Sequence, residues 1–243
     1  MASRGKRYVE SRGKVDREHL YSPLEALRLL KGLPAAKFDE TVEAHFSLGL
    51  NVRHADQQLR GTLMLPNGSG RTMRVAVFAE GDKAREAEEA GADVVCSADL
   101  AKRVEEGFTD FDVAIATPDQ MGNVGKLGRI LGPRGLMPNP KTGTVTFDIG
   151  KAVQDAKGGK LEYRTDRGAN VHVSIGKKSF DERQLLENYA ALVEEIVRAK
   201  PAAAKGRYIH QITLTTTMGP GIRVDPSRIR GIVEEFAQEA VPA

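Results

Sequence analysis

Five histidines, one cysteine and several paired carboxylates are the residues of this 243-residue chain whose types suit catalysis or metal binding. His19, His45, His54, His172 and His210 show no close ligand spacing and no HExxH arrangement. No metal site is expected from them, and those on strands read as satisfied structural residues. Cys96 follows a short apolar run with no base beside it in sequence, so it reads as a small core or strand-end residue. A lone cysteine also rules out a disulfide within the chain. Glu88 and Glu89, Glu105 and Glu106, and Glu194 and Glu195 sit in helical patterns and are expected to face solvent. Phosphate loops fare no better. In "PNGSGRT" (66–72), Leu65 stands where a Walker loop needs its first glycine, and Arg71 replaces the lysine. "MGNVGKLG" lacks the GxGxxG spacing of a dinucleotide site. These residues suggest no enzyme, no cofactor and no resident metal.

Two other stretches suit contact rather than reaction. "ITLTTTMGPG" places Thr213, Thr215 and Thr217 on one strand face and then breaks at Met218, Gly219, Pro220 and Gly221. Hydroxyls both donate and accept, as the 2′-OH of RNA requires, and glycine lets another backbone come close. The same pattern also follows from strand propensity and a glycine turn. "AKFDETVE" adds Lys37 beside Phe38, a cation with either a stacking ring or a core side chain. With no Trp and 5% aromatic residues, base stacking is not the main device. "GRILGPRGLMPNPKTGTV" (128–145) holds four glycines, three prolines and three basic residues, with no acid. It reads as a rigid, packed loop serving architecture, with Arg129, Arg134 and Lys141 as secondary candidates for RNA.

The elements that carry these residues fall into two patterns. Val42, Ala44, Phe46, Leu48 and Leu50 alternate with Thr41, Glu43, His45 and Ser47, as in a strand buried on one face. "KLEYR", "NVHVSI" and "RYIHQITLTTT" repeat this alternation. "SPLEALRLLKG" and "SFDERQLLENYAALVEEIVRAKP" read as helices, the second capped by Ser179 or Asp181. These pieces make an α+β sandwich, an antiparallel sheet with helices on one face. Between them, "RTMRVAVFA", "DVVC" and "FDVAIATP" are near-continuous apolar runs separated by the helical patterns "GDKAREAEEAG" and "ADLAKRVEEG". That is the signature of an α/β unit with a parallel sheet. Two domains are expected: 1–68 with 160–243, and an insert at 69–159. The insert carries 12 Lys and Arg against 14 Asp and Glu, and the remainder 24 against 19. No apolar run nears the roughly 20 residues of a membrane span, so no membrane partner and a cytoplasmic location are expected.

In order along the chain, "RGKRY", "AKFDETVE", "DQQLRGT", "ATPDQMG", "KLGRILGPRGLMPNPKTGTV" and "TTTMGP" give a specific resemblance to the ribosomal protein L-one family. The resemblance covers nearly the whole length. It implies a split α+β domain with an inserted Rossmann-like domain, monomeric when free of the ribosome. It also implies binding of large-subunit rRNA at the mobile stalk beside the tRNA exit site, assistance in release of exit-site tRNA, and repression of the operon's own mRNA. Carried onto this sequence, the family's central RNA contact falls on Thr217, Met218 and Gly219, and the second on Lys37, Phe38 and Thr41. Asp166, Arg167 and His172 in "RTDRGANVH" are implied as neighbouring contacts, with Thr215 beside them on the hydroxyl face. The chain departs from the family's usual form at Asn51, Val52 and His54, where an Asp-Pro-Arg-Arg-like run is common, and at Arg167.

Overall fold

The computed structural model describes residues 5–95, 98–229 and 232; Cys96 lies outside them. Helices α1 (Lys6–Gly13) and α2 (Pro23–Gly32) precede strands β1 (Thr41–Leu48) and β2 (Arg60–Met64). Next come β3 (Val75–Phe78), α3 (Asp82–Glu89), β4 (Val94–Val95), α4 (Ala98–Glu105) and β5 (Val113–Ala116). Helices α5 (Met121–Lys126), α6 (Gly128–Leu131) and α7 (Ile149–Lys157) follow. The chain continues through β6 (Lys160–Arg164), β7 (Asn170–Lys177), α8 (Glu182–Arg198), β8 (Ile209–Thr216) and β9 (Ile222–Val224). It divides into two compact units: Met1–Gly70 with Tyr163–Ala243, and Arg71–Glu162.

The first unit is built on an antiparallel sheet of order β7-β1-β8-β9. Alternation explains its two faces. Val42, Ala44, Phe46 and Leu48, with Val171, Val173, Ile175, Ile212 and Leu214, are all buried. Beneath them pack Leu27 and Leu30 of α2 and Leu185, Tyr189, Leu192 and Ile196 of α8. Burying each such side chain contributes about 1.5–3 kcal/mol. Ser22 caps α2 by accepting the Glu25 N–H, while Glu25 accepts the Ser22 N–H in return. At α8 the capping residue is Asp181, whose N–H donates to Gln184 Oε1; Ser179 instead bonds the Asp39 carboxylate. Leu50 does not extend the alternation, because β1 ends at Leu48. In β6 only Tyr163 is buried, so "KLEYR" alternates less cleanly than its neighbours.

The second unit holds a parallel sheet of order β4-β3-β5. All four residues of β3 are buried, because both faces are covered. Ala76, Phe78 and Ala114 pack with Leu100, Val104, Leu127 and Leu131. Val75, Val77 and Ile115 pack with Ala87, Ile149 and Val153. Segment 128–145 is not one loop, as its glycines and prolines suggest. Its first four residues form α6, which buries Leu131. Gly135 and Gly143 turn the chain at φ 72° and 68°, and the Asn139 carbonyl accepts the hydroxyls of Thr142 and Thr144. The stretch then closes onto β5, where Ala116 N–H donates to Thr144 O and Thr146 N–H to Ala116 O. Its distinctive composition is consumed by these internal turns.

Candidate nucleic-acid interface

Antiparallel pairing carries the start of β1 to the end of β8, with Val42 opposite Thr216. Thr41 and Thr217 lie just beyond that pair and hold each other. The Thr41 N–H donates to Thr217 Oγ1 at 3.0 Å, and the Thr217 N–H donates to Thr41 O at 3.1 Å. On the other side, Lys177 Nζ donates to Thr41 Oγ1 at 2.9 Å. Two segments 176 residues apart thus form one rigid edge.

Glu40 fastens the loops on either side of that edge. It is 2% exposed, and Oε1 accepts the Ala36 N–H at 2.6 Å while Oε2 accepts the Met218 N–H at 3.2 Å. Burial pushes the carboxyl toward protonation, but the Thr216 hydroxyl, these two N–H groups and the nearby Lys178 outweigh it. Its pKa is held below the ordinary carboxylate value. Asp39 adds a second tether through Ser179, and Arg7 donates to Ala35 O. So fixed, the two loops present an apolar, cationic surface. Phe38 is 54% exposed and Met218 51%, with Lys37 and Thr217 also in solvent. Lys37, Phe38, Thr41, Thr217, Met218 and Gly219 therefore share one end of the sheet, where its two central strands β1 and β8 meet their loops.

The hydroxyl and glycine chemistry differs from the sequence expectation. Thr217 Oγ1 is already engaged with Thr41, so it is not an unoccupied group waiting for RNA. Thr215 Oγ1 turns inward, within hydrogen-bond distance of the carbonyls of Thr216, Gly219 and Pro220. Gly219 does not have a positive φ. A Cβ there would run into Thr216 Oγ1, so the glycine is required first by the protein's own packing.

Asp166, Arg167 and His172 are not gathered at that edge. Thr41 pairs with Lys177 but Ser47 with Asn170, so the 166–170 turn sits at the far end of β1, roughly 20 Å along the strand. Asp166 is a turn residue: Oδ1 accepts the N–H groups of Gly168 and Asn170, and Oδ2 accepts Asn170 Nδ2. Those bonds, chiefly with Asn170, hold its carboxyl below the ordinary range. They also accommodate Ala169 at φ 61°. Arg167 is exposed at the turn, and His172 on the open sheet face.

The residue that sequence reading missed is Glu40. Its signal was parity: Glu40 falls in step with Val42, Ala44, Phe46 and Leu48, the buried face.

The model of the ribosomal protein L1p/L10e family matches residues 29–220. The large ribosomal subunit protein uL1 of Rubrobacter xylanophilus is 67% identical over 224 residues, covering 92% of this chain and 97% of that protein. The large ribosomal subunit protein uL1 of Thermobifida fusca is 60% identical, with 93% and 97% covered, and that of Frankia alni 58%, with 99% of each. Among the described residues, no helix is long and apolar enough to cross a membrane.

Proposed function

The chain belongs to the ribosomal protein L1p/L10e family, and from that premise we propose that it is a non-enzymatic, RNA-binding constituent of the large ribosomal subunit. It binds large-subunit rRNA at the mobile stalk beside the tRNA exit site, assists release of exit-site tRNA, and represses its own operon's mRNA by binding a similar RNA structure. It acts in the cytoplasm, on the ribosome, and is a monomer off it. The split domain (1–68 with 160–243) does the binding, and a Rossmann-like insert (69–159) moves with or gates the stalk. The observation that carries this reading is the edge where Glu40 anchors two exposed loops, because a preformed apolar and cationic surface loses little entropy on binding. Co-sedimentation with large subunits in high salt tests it: a chain that stays in the free fraction is a regulator at most.

Salt provides a second check. Lys37 and Arg167 supply about two phosphate contacts, so log affinity should fall with log salt at a slope of about −2. That is roughly tenfold between 50 and 200 mM, measured by filter binding to an rRNA fragment. A flat response would remove phosphates from the interface.

Phe38 gives a residue-level check. Because its ring is 54% exposed, Phe38→Ala should leave thermal stability unchanged yet weaken RNA binding by about 1–2 kcal/mol, as loss of one stacking surface does. Unchanged affinity would make the ring an incidental surface residue.

A further inference from the structure

His45 and His172 are 127 residues apart in sequence and directly opposite each other on β1 and β7. On the open face of the sheet their Nδ1 atoms lie 2.9 Å apart, with ring centroids at 5.0 Å. The outer nitrogens each face a carboxylate: His45 Nε2 is 3.6 Å from Glu43 Oε2, and His172 Nε2 is 3.5 Å from Asp166 Oδ2. At these distances each carboxylate faces its ring as a nearby negative charge and leaves the tautomer to the contact between the rings. A neutral imidazole has one N–H. One Nδ1 therefore donates its hydrogen to the other, and the shared proton occupies a point that a cation with affinity for imidazole can take in its place.

We propose that this pair is a binding site for a divalent first-row transition cation, with the two Nδ1 atoms as its protein ligands. Imidazole is the ligand that Ni²⁺, Cu²⁺ and Zn²⁺ share, and among the described residues no thiolate lines the groove to select a softer ion. Bonds of about 2.0–2.1 Å to nitrogens 2.9 Å apart subtend roughly 90° at the metal. That angle suits the tetragonal preference of Cu²⁺ and Ni²⁺ better than tetrahedral Zn²⁺. Glu43 and Asp166 are the outer partners that orient ligating histidines and offset the cation's charge. A groove of about 280 Å³, lined also by Ser47, Asn170, Gln211 and Thr213, leaves the remaining positions to water. Among the described residues no group of three or more His, Cys, Asp or Glu converges on a metal point, so the affinity is micromolar rather than that of a structural zinc. Sequence spacing does not reveal such a site, because only the strand register brings the two rings together.

Calorimetric titration of the untagged full chain with Ni²⁺ and Cu²⁺ at pH 7.5 tests this. One saturable micromolar site is expected, lost in both His45→Gln and His172→Gln, with the double variant no worse than either. Glu43→Gln should weaken it roughly tenfold, and His54→Gln and His210→Gln should leave it intact. Cu²⁺ bound to the parent should show nitrogen hyperfine structure in its paramagnetic resonance spectrum, absent from the pair variants. The pair variants are checked by melting, since His172 is exposed and His45 half-buried, both on the sheet face opposite the core. If folded pair variants bind as the parent does, or the parent shows no saturable site, the rings share only a proton and the proposal fails.

Discussion

Glu40→Ala is expected to lower the melting temperature of the protein and to weaken RNA binding together, although Glu40 itself is buried away from any ligand. Truncation strands the Ala36 and Met218 N–H groups and removes the partner of the Thr216 hydroxyl. Each buried donor left unpaired costs about 1–3 kcal/mol, so a total of about 2–5 kcal/mol is expected. The same loss frees the loop bearing Lys37 and Phe38 from the loop bearing Met218, and that freedom must be removed again on binding. Glu40→Gln separates the parts: its one amide oxygen can keep the Met218 or the Ala36 bond but not both, so its defect should be intermediate. A Glu40→Ala variant with parental stability and parental affinity would show that the two loops are positioned by something else.

The charge on Glu40 fixes the sign of the pH dependence. Its folded-state pKa lies below the ordinary value, so its contribution is complete above the unfolded-state pKa and is lost as pH falls through the folded-state one. The stability gap between the parent and Glu40→Gln should therefore be widest at neutral pH and narrow in acid. Urea melts at a series of pH values measure this. A gap that widened in acid would mean the carboxyl is protonated in the native state.

How much of this was legible beforehand depended on the range of the physics involved. Alternation in β1, β7 and β8 was readable because a half-buried strand writes its burial into neighbouring residues, and Thr216 and Thr217 fell on opposite faces as period two requires. The continuous apolar runs at β3 and β5 were readable because a sheet covered on both faces has no polar side. Helix α7 went unread, although Ile149, Ala152, Val153 and Ala156 line its buried face, because the glycines and prolines just before it dominate the eye. The candidate edge was half legible. Its residue types stood out, but the sequence does not say that Thr217 would be bonded to Thr41, that Thr215 would turn inward, or that Asp166 would be consumed by its own turn. The first rests on a pairing across 176 residues that only the register fixes, and the other two on the exact path of local turns.

Gly219 shows what that register changes. Gly219→Val is expected to cost about 3 kcal/mol or more in stability, since a branched side chain would be forced into the Thr216 hydroxyl, which is itself 4% exposed and tied to Glu40. Displacing Thr216 disturbs the Glu40 anchor, so RNA affinity should fall by roughly 100-fold with it. Thr217→Ala should be milder, about 1 kcal/mol, because it removes one exposed hydroxyl whose partners belong to the end of β1. Two reasons for the glycine remain distinct: room for Thr216, or room for an approaching RNA backbone. A double-mutant cycle with the smaller change decides between them. Gly219→Ala places its methyl where the Thr216 hydroxyl lies, and Thr216→Ala vacates that space. If internal packing is the reason, Gly219→Ala should harm the parent by about 1–3 kcal/mol yet be nearly neutral in the Thr216→Ala background, for melting and affinity alike. If the glycine is kept open for RNA, Gly219→Ala should cost the same affinity in both backgrounds while leaving melting unchanged. The contact geometry favours the first outcome, and equal affinity losses in the two backgrounds would overturn it.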